Sequence, residues 1–139
     1  MKALGIDHGD ARIGLAISDD LGMLAHPLET IALKDVDDPL ARIAAIVERD
    51  KISAIILGLP RNMDGSYGPA AEKVRTFAEQ LRARVPCEVK MWDERLTSVA
   101  AQRSLHEAGR NVKRSREVID QVAAQLILQG WLDSQAMLG

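Results

Sequence analysis

The chain has 139 residues, a formal net charge of −2, one cysteine and 3% aromatic residues. That length suits one domain burying roughly 70% of its unfolded surface, and the lone Cys87 excludes an intramolecular disulfide framework or a zinc cluster. The slightly negative charge excludes a binder held to nucleic acid by bulk charge alone, and so few rings argue against a base-stacking platform.

No apolar run approaches the ~20 residues of a membrane span, and Ala3-Leu4-Gly5-Ile6 is too short for a signal peptide. The expectation is an untargeted cytoplasmic protein with no membrane partner, folded as one continuous domain over residues 1–139.

A first strand is expected near Lys2–Asp7. A turn at Gly9-Asp10 leads into a second at Arg12–Ser18, where Ile13, Leu15 and Ile17 alternate with Gly14, Ala16 and Ser18. The two read as an antiparallel hairpin. Asp19-Asp20-Leu21-Gly22 supplies a turn, and a third strand follows between Met23 and Leu33, with Pro27 confining it to an edge or interrupting it.

Asp38 can cap a helix with Pro39 at its first position, and Leu40, Ile43, Ala44 and Val47 form one face. The unbroken Ala54-Ile55-Ile56-Leu57 reads as a central strand ending at Gly58, buried on both faces. Pro69 begins a second helix whose Ala70, Val74, Phe77, Ala78 and Leu81 point inward. Glu88–Trp92 reads as a fifth strand, and Thr97 or Ser98 caps a helix to about Glu107, ended by Gly109. Ser115 opens the last helix, which runs to about Leu132. The helix-linked strands should be parallel, and the sum is an α/β fold with a mixed five-stranded sheet, a three-strand meander followed by parallel strands, flanked by helices.

Three acids lie beside the apolar core. Asp7 sits where the first strand gives way to a glycine turn, Glu94 follows the fifth strand, and Asp120 lies one turn into the last helix. Asp120 shares a helical line with Ala124 and Ile127, and the small Ala123 and Ala124 let that helix approach the sheet. If the acids converge, like charges about 4 Å apart repel by roughly 4 kcal/mol per pair at an effective dielectric of 20, which a cation must relieve. Oxygen ligands favour Mg²⁺ or Mn²⁺, and the chemistry that follows is phosphodiester hydrolysis with the acids positioning metal. The alternative is that all three are caps or surface acids.

Four segments carry a resemblance: residues 5–14 (GIDHGDARIG), 58–66 (GLPRNMDGS), 93–98 (DERLTS) and 119–129 (IDQVAAQLILQ). Together, and in this order, they resemble the bacterial YqgF/RuvX family. The resemblance implies a ribonuclease-H-like, resolvase-related fold and a nuclease that matures the 5′ end of 16S ribosomal RNA. By motif, the family's acidic site falls on Asp7, Glu94 and Asp120. His8 departs from the pattern, since many relatives carry an aromatic or aliphatic residue there. It is expected either beside the metal shell or, more simply, as a satisfied core or surface side chain.

Arg110, Lys113, Arg114 and Arg116 cluster just before the last helix and are candidates for phosphate contact. Arg95, beside Glu94, and Arg12 could clamp a phosphate or form a structural salt bridge. Arg61 lies in the 58–68 loop, a further candidate nucleic-acid contact. That loop lacks the Gly-Lys-Ser/Thr ending of a nucleotide P-loop, and its glycines permit either close approach to substrate or a plain connecting turn. Cys87, Trp92 and Trp131 read as packing residues.

Competing readings share these residues. A Holliday-junction resolvase would cut four-way DNA as a dimer, whereas RNA processing suits a monomer or a homodimer. One half of an actin-like ATPase is disfavoured by length. A non-catalytic ribosome-assembly module would use the acids only for structure.

Overall fold

The computed structural model describes residues 1–62, 64–94 and 112–138, with side chains of 112–118 and 137–138 excepted. The elements are β1 (Lys2–His8), β2 (Arg12–Ser18), β3 (Ala25–Ala32), a 3-10 turn (Leu33–Asp35), α1 (Pro39–Asp50), β4 (Ile52–Leu59), α2 (Pro69–Arg82), β5 (Glu88–Asp93) and α3 (Val112–Leu138). The helix expected from Thr97 or Ser98 to Glu107 lies outside the described residues, as do Arg95 and Arg110.

The sheet order is β3-β2-β1-β4-β5. β1, β2 and β3 pair antiparallel, while β4 pairs parallel with both β1 and β5. This is the expected meander followed by parallel strands. Pro27 does sit on an edge strand, where a missing N–H costs no ladder bond. The β2/β3 register shifts beside it, from Leu15↔Glu29 to Ala16↔Pro27.

Because strand side chains alternate, each inner strand divides its residues between two layers. Leu4, Ile6, Ile13, Leu15, Ile55 and Leu57 face α1 and α2 in one apolar cluster. Ala3, Ala16, Ala54 and Ile56 face α3 in the other, against Ala123, Ala124, Ile127, Leu128 and Trp131. α3 crosses β1, β2 and β3. Its Gln129 accepts from the Ala25 backbone N–H at 2.9 Å and its Gln125 donates to the Ala25 carbonyl at 3.0 Å, so the helix satisfies the start of the edge strand.

Asp38 caps α1 by accepting from the Ala41 N–H at 3.2 Å, with Pro39 in the first turn as expected. Three expectations change. The buried stripe of α1 is Ile43, Ile46 and Val47, with Leu40 and Ala44 only partly covered. Ile46 lies one turn on from Ile43 and adopts the same face. In α2 it is Ala71, not Ala70, that is buried.

The third concerns α3, which begins three residues before Ser115 and continues to Leu138. Ser115 does not start the helix because Val112, Lys113 and Arg114 raise no helix-breaking obstacle, and no glycine or proline follows Trp131 before Gly139. Lys113, Arg114 and Arg116 therefore belong to the opening turns of α3 rather than to a loop before it.

Candidate active site

Asp7 is one of two buried polar residues among those described, 3% exposed. It is on the strand face that carries Ala3 and Gly5, and so it faces α3. Across the antiparallel ladder its partner is Gly14. On the other side Gly58 follows Leu57, the parallel partner of Ile6, and so lies beside Asp7. The carboxylate thus emerges from a row in which both neighbouring strands present glycine.

Those glycines are required by what lies over them. A Cβ on Gly14 would overlap the Asp120 carbonyl and come within 3.0 Å of the Asp120 Cβ. A Cβ on Gly58 would overlap the Ile127 side chain and lie 3.0 Å from Glu94 Oε1. One turn further along α3, a Cβ on Gly5 would be 2.7 Å from the Leu128 Cβ and 2.8 Å from the Ala124 carbonyl. Glycine within a strand marks close approach of another group. Here it lets α3 descend onto the sheet, with Asp120 over one flank of Asp7 and Glu94 over the other. The three acids singled out from the sequence are brought to one end of the sheet, on one face.

Asp120 also has a basic neighbour on β2. Arg12 Nε donates to Asp120 Oδ2 at 2.7 Å, both side chains being mostly buried. Of the two roles open to Arg12, phosphate clamp or salt bridge, the structure holds the second. Among the described residues no three His, Cys, Asp or Glu side chains stand in a metal-ligating group. Asp7, Glu94 and Asp120 offer carboxylate oxygens, the ligand type that hard divalent cations favour.

Arg61 also has protein partners. It donates from Nη1 to Asp93 Oδ2 at 3.1 Å and from Nε to the Gly65 carbonyl at 3.0 Å, with Nη2 on the same carbonyl. Its guanidinium lies over the Tyr67 ring, as does that of Arg75. It fastens the 58–68 loop to the end of β5, one residue before Glu94. Within that loop Gly65 has φ 89° and forms a turn, while Gly58, expected to open the loop, lies inside β4 and admits protein rather than substrate.

His8 points away from Asp7, to the α2 side, and packs on Phe77 with ring centroids 4.5 Å apart. Burial pushes its imidazole below the ordinary value, against the opposing pull of Asp10 and Asp7. It is a packed side chain on the opposite face from the acids. Trp131 is buried and Trp92 partly so in the α3 layer, and burial raises the Cys87 thiol. What the sequence reading missed is the part played by Gly14. Its signal was a glycine in mid-strand, on the face away from the branched aliphatics.

This architecture defines a class, the ribonuclease-H-like fold of junction resolvases. The chain matches Thermus thermophilus RuvC, solved with a Holliday junction substrate, at a TM-score of 0.59 and 16% identity, over 99% of this chain and 96% of that one. It matches the fowlpox virus Holliday junction resolvase at 0.55 and 13% identity, over 96% and 99%.

More specifically, residues 1–134 match the model of RuvX, described as Holliday junction resolvase, and the chain belongs to this family. A Halalkalibacterium halodurans protein is 48% identical over 139 residues, 99% of each chain. An Acetivibrio thermocellus protein is 50% identical over 137 residues, 97% of each. Both are provisionally named pre-16S rRNA nucleases.

Proposed function

We propose that the chain is a single-domain, divalent-metal-dependent endonuclease that hydrolyses phosphodiester bonds in precursor 16S ribosomal RNA. The observation that carries this reading is the buried Asp7 carboxylate, set between two glycines that admit Asp120 on one side and Glu94 on the other. A cation shared by a buried carboxylate and two neighbours offsets their mutual repulsion. Asp7, Glu94 and Asp120 would hold Mg²⁺ or Mn²⁺. A bound ion would lower the pKa of the attacking water and stabilise the leaving oxygen.

The protein's own contribution is positioning. β1 fixes Asp7, α3 fixes Asp120, and the Arg61-fastened end of β5 fixes Glu94. Arg12, Arg61, Arg95, Arg110, Lys113 and Arg114 are the basic residues assigned to substrate contact, of which Arg12 and Arg61 would have to give up part of their present bonding. RNA is favoured over four-way DNA because relatives sharing nearly half of all residues over full length carry the RNA name, whereas the solved resolvases share 16% or less. Magnesium as the working ion and a cytoplasmic setting follow from that role. No described helix is long and apolar enough to cross a membrane.

The test uses the full chain with Mn²⁺ or Mg²⁺ on RNA spanning the mature 5′ end of 16S, beside a synthetic four-way junction. The expected result is metal-dependent cutting of the RNA. Asp7→Asn should bind RNA as the parent does yet cleave at least ~100-fold more slowly, equivalent to about 2.7 kcal/mol of barrier. Equal cleavage by Asp7→Asn would refute the assignment of the site, and paired cuts on the junction alone would replace RNA with DNA.

A further inference from the structure

The Arg12–Asp120 pair spans 108 residues of sequence and joins the first residue of β2 to α3 at a 2.7 Å charge-assisted bond. Arg12, Gly14 and Ala16 alternate along β2 on the side that faces α3, and Gly14 is the residue that lets the Asp120 backbone settle there. The guanidinium therefore reaches the very carboxylate that flanks buried Asp7. Guanidinium is permanently charged, weakly hydrated and able to satisfy a carboxylate in a half-buried setting. With 28% of the Arg12 side chain exposed against 14% of Asp120, the arginine enters from the solvent side.

We infer that Arg12 is an internal counter-cation for the acidic site: it holds Asp120 in the ion-free protein and yields that carboxylate when a divalent cation binds. This rests on the reading of Asp7, Glu94 and Asp120 as metal ligands. A cluster of carboxylates with no cation repels itself, and Arg12 supplies one positive charge from within the chain. A divalent cation carries twice the charge and competes for the same oxygens. Arg12 is thus a positioning residue that sets both the stability of the ion-free site and the ion concentration at which the site fills.

The experiment titrates MnCl₂ into the metal-stripped full chain by calorimetry and follows Tm with and without Mn²⁺. Removing a half-buried charge-assisted bond that competes with the ion should tighten Mn²⁺ binding about five- to tenfold in Arg12→Gln. The same variant should melt below the parent in chelator and regain most of that difference in saturating Mn²⁺, because the ion replaces the arginine. Arg12→Lys keeps the charge without the guanidinium geometry and should fall between the two, which secures the test if Arg12→Gln folds poorly. Lys73→Ala removes one positive charge on the α2 side, where Lys73 pairs with Asp10, and should leave Mn²⁺ affinity within twofold.

Unchanged or weaker Mn²⁺ binding in Arg12→Gln, with Asp120→Asn still lowering it, would overturn the counter-cation role alone. Tightening by Lys73→Ala equal to that by Arg12→Gln would overturn it too, in favour of bulk charge. Mn²⁺ binding indifferent to Asp120→Asn would overturn the metal-site reading itself.

Discussion

The two faces of one sheet are built by opposite rules. Toward α1 and α2 the inner strands present Leu4, Ile6, Ile13, Leu15, Ile55 and Leu57, branched side chains that fill the space between layers. Toward α3 the same strands present Ala3, Gly5, Gly14, Ala16, Ala54 and Gly58 beside the charged Asp7 and Arg12, with Ile56 the one large aliphatic side chain. Fully burying a leucine or isoleucine stabilises by roughly 1.5–3 kcal/mol, whereas glycine contributes no side-chain burial and raises the entropy cost of folding. The α3 face forgoes that stabilisation and gains proximity. The first face holds the fold together, and the second brings a helix close enough for its Asp120 to pack on Gly14, the cross-strand partner of Asp7.

If that division holds, substitutions of similar volume on the two faces should separate stability from activity. The largest effect is expected from Gly14→Val. Its new side chain would overlap the Asp120 backbone, and overpacking of a tight contact costs typically 1–3 kcal/mol and occasionally more. Because α3 must lift to make room, RNA cleavage should fall at least ~100-fold even where the variant remains folded, with binding of Mn²⁺ weakened in parallel. Circular dichroism melts and single-turnover cleavage at a temperature where both proteins are folded measure the two quantities. Parent-like cleavage in folded Gly14→Val would break the claim that proximity is what this face supplies.

Leu57→Ala is the counterpart. Leu57 is fully buried on the aliphatic face and neighbours Gly58 in sequence, so it is as near the site along the chain as any residue can be. Truncating a buried leucine costs about 2–5 kcal/mol. Urea midpoints should fall accordingly, while cleavage per folded molecule at low temperature should stay within about threefold of the parent, since nothing on the α3 side has moved. A cleavage loss as large as that of Gly14→Val would mean that the two layers are not separable.

This same contrast explains what could be read from the sequence alone. The hairpin, the Asp38-Pro39 helix start, the Ile55-Ile56-Leu57 strand and the second helix are local signals, carried by period-2 or 3.6 spacing and by capping chemistry, and they are found where expected. The three acids stand out in the sequence by position and by motif, and the fold sets them at one end of the sheet. The sequence could not show what occupies the space above a glycine: Gly14 is explained by a residue more than a hundred positions away. Nor could it show that Arg12 and Arg61 already have partners, because Asp120 and Asp93 meet them only through tertiary packing. The start of α3 was misread because a serine that could cap a helix stands where a run of good helix formers simply continues.

The smallest effect belongs to the edge of the aliphatic face, and its pH dependence isolates it. Asp38 caps α1 through the Ala41 N–H and also receives Arg84 Nη2 at 2.8 Å. The Arg84 hydrogen bond, with help from the capping N–H, holds its carboxyl below the usual aspartate value. A depressed carboxyl stabilises the folded state above the unfolded-state value of about 3.9, and that contribution disappears as pH falls through the lower folded-state value. Asp38→Ala should therefore lower Tm slightly and by a constant amount between pH 7 and pH 5, with the gap to the parent closing below about pH 4. Its cleavage activity should match the parent throughout, because Ile43, Ile46 and Val47 still dock the helix and the acids are served from the opposite layer. A cleavage defect in this variant would show that α1, too, bears on the site, and would blur the division between the faces more than any loss of stability could.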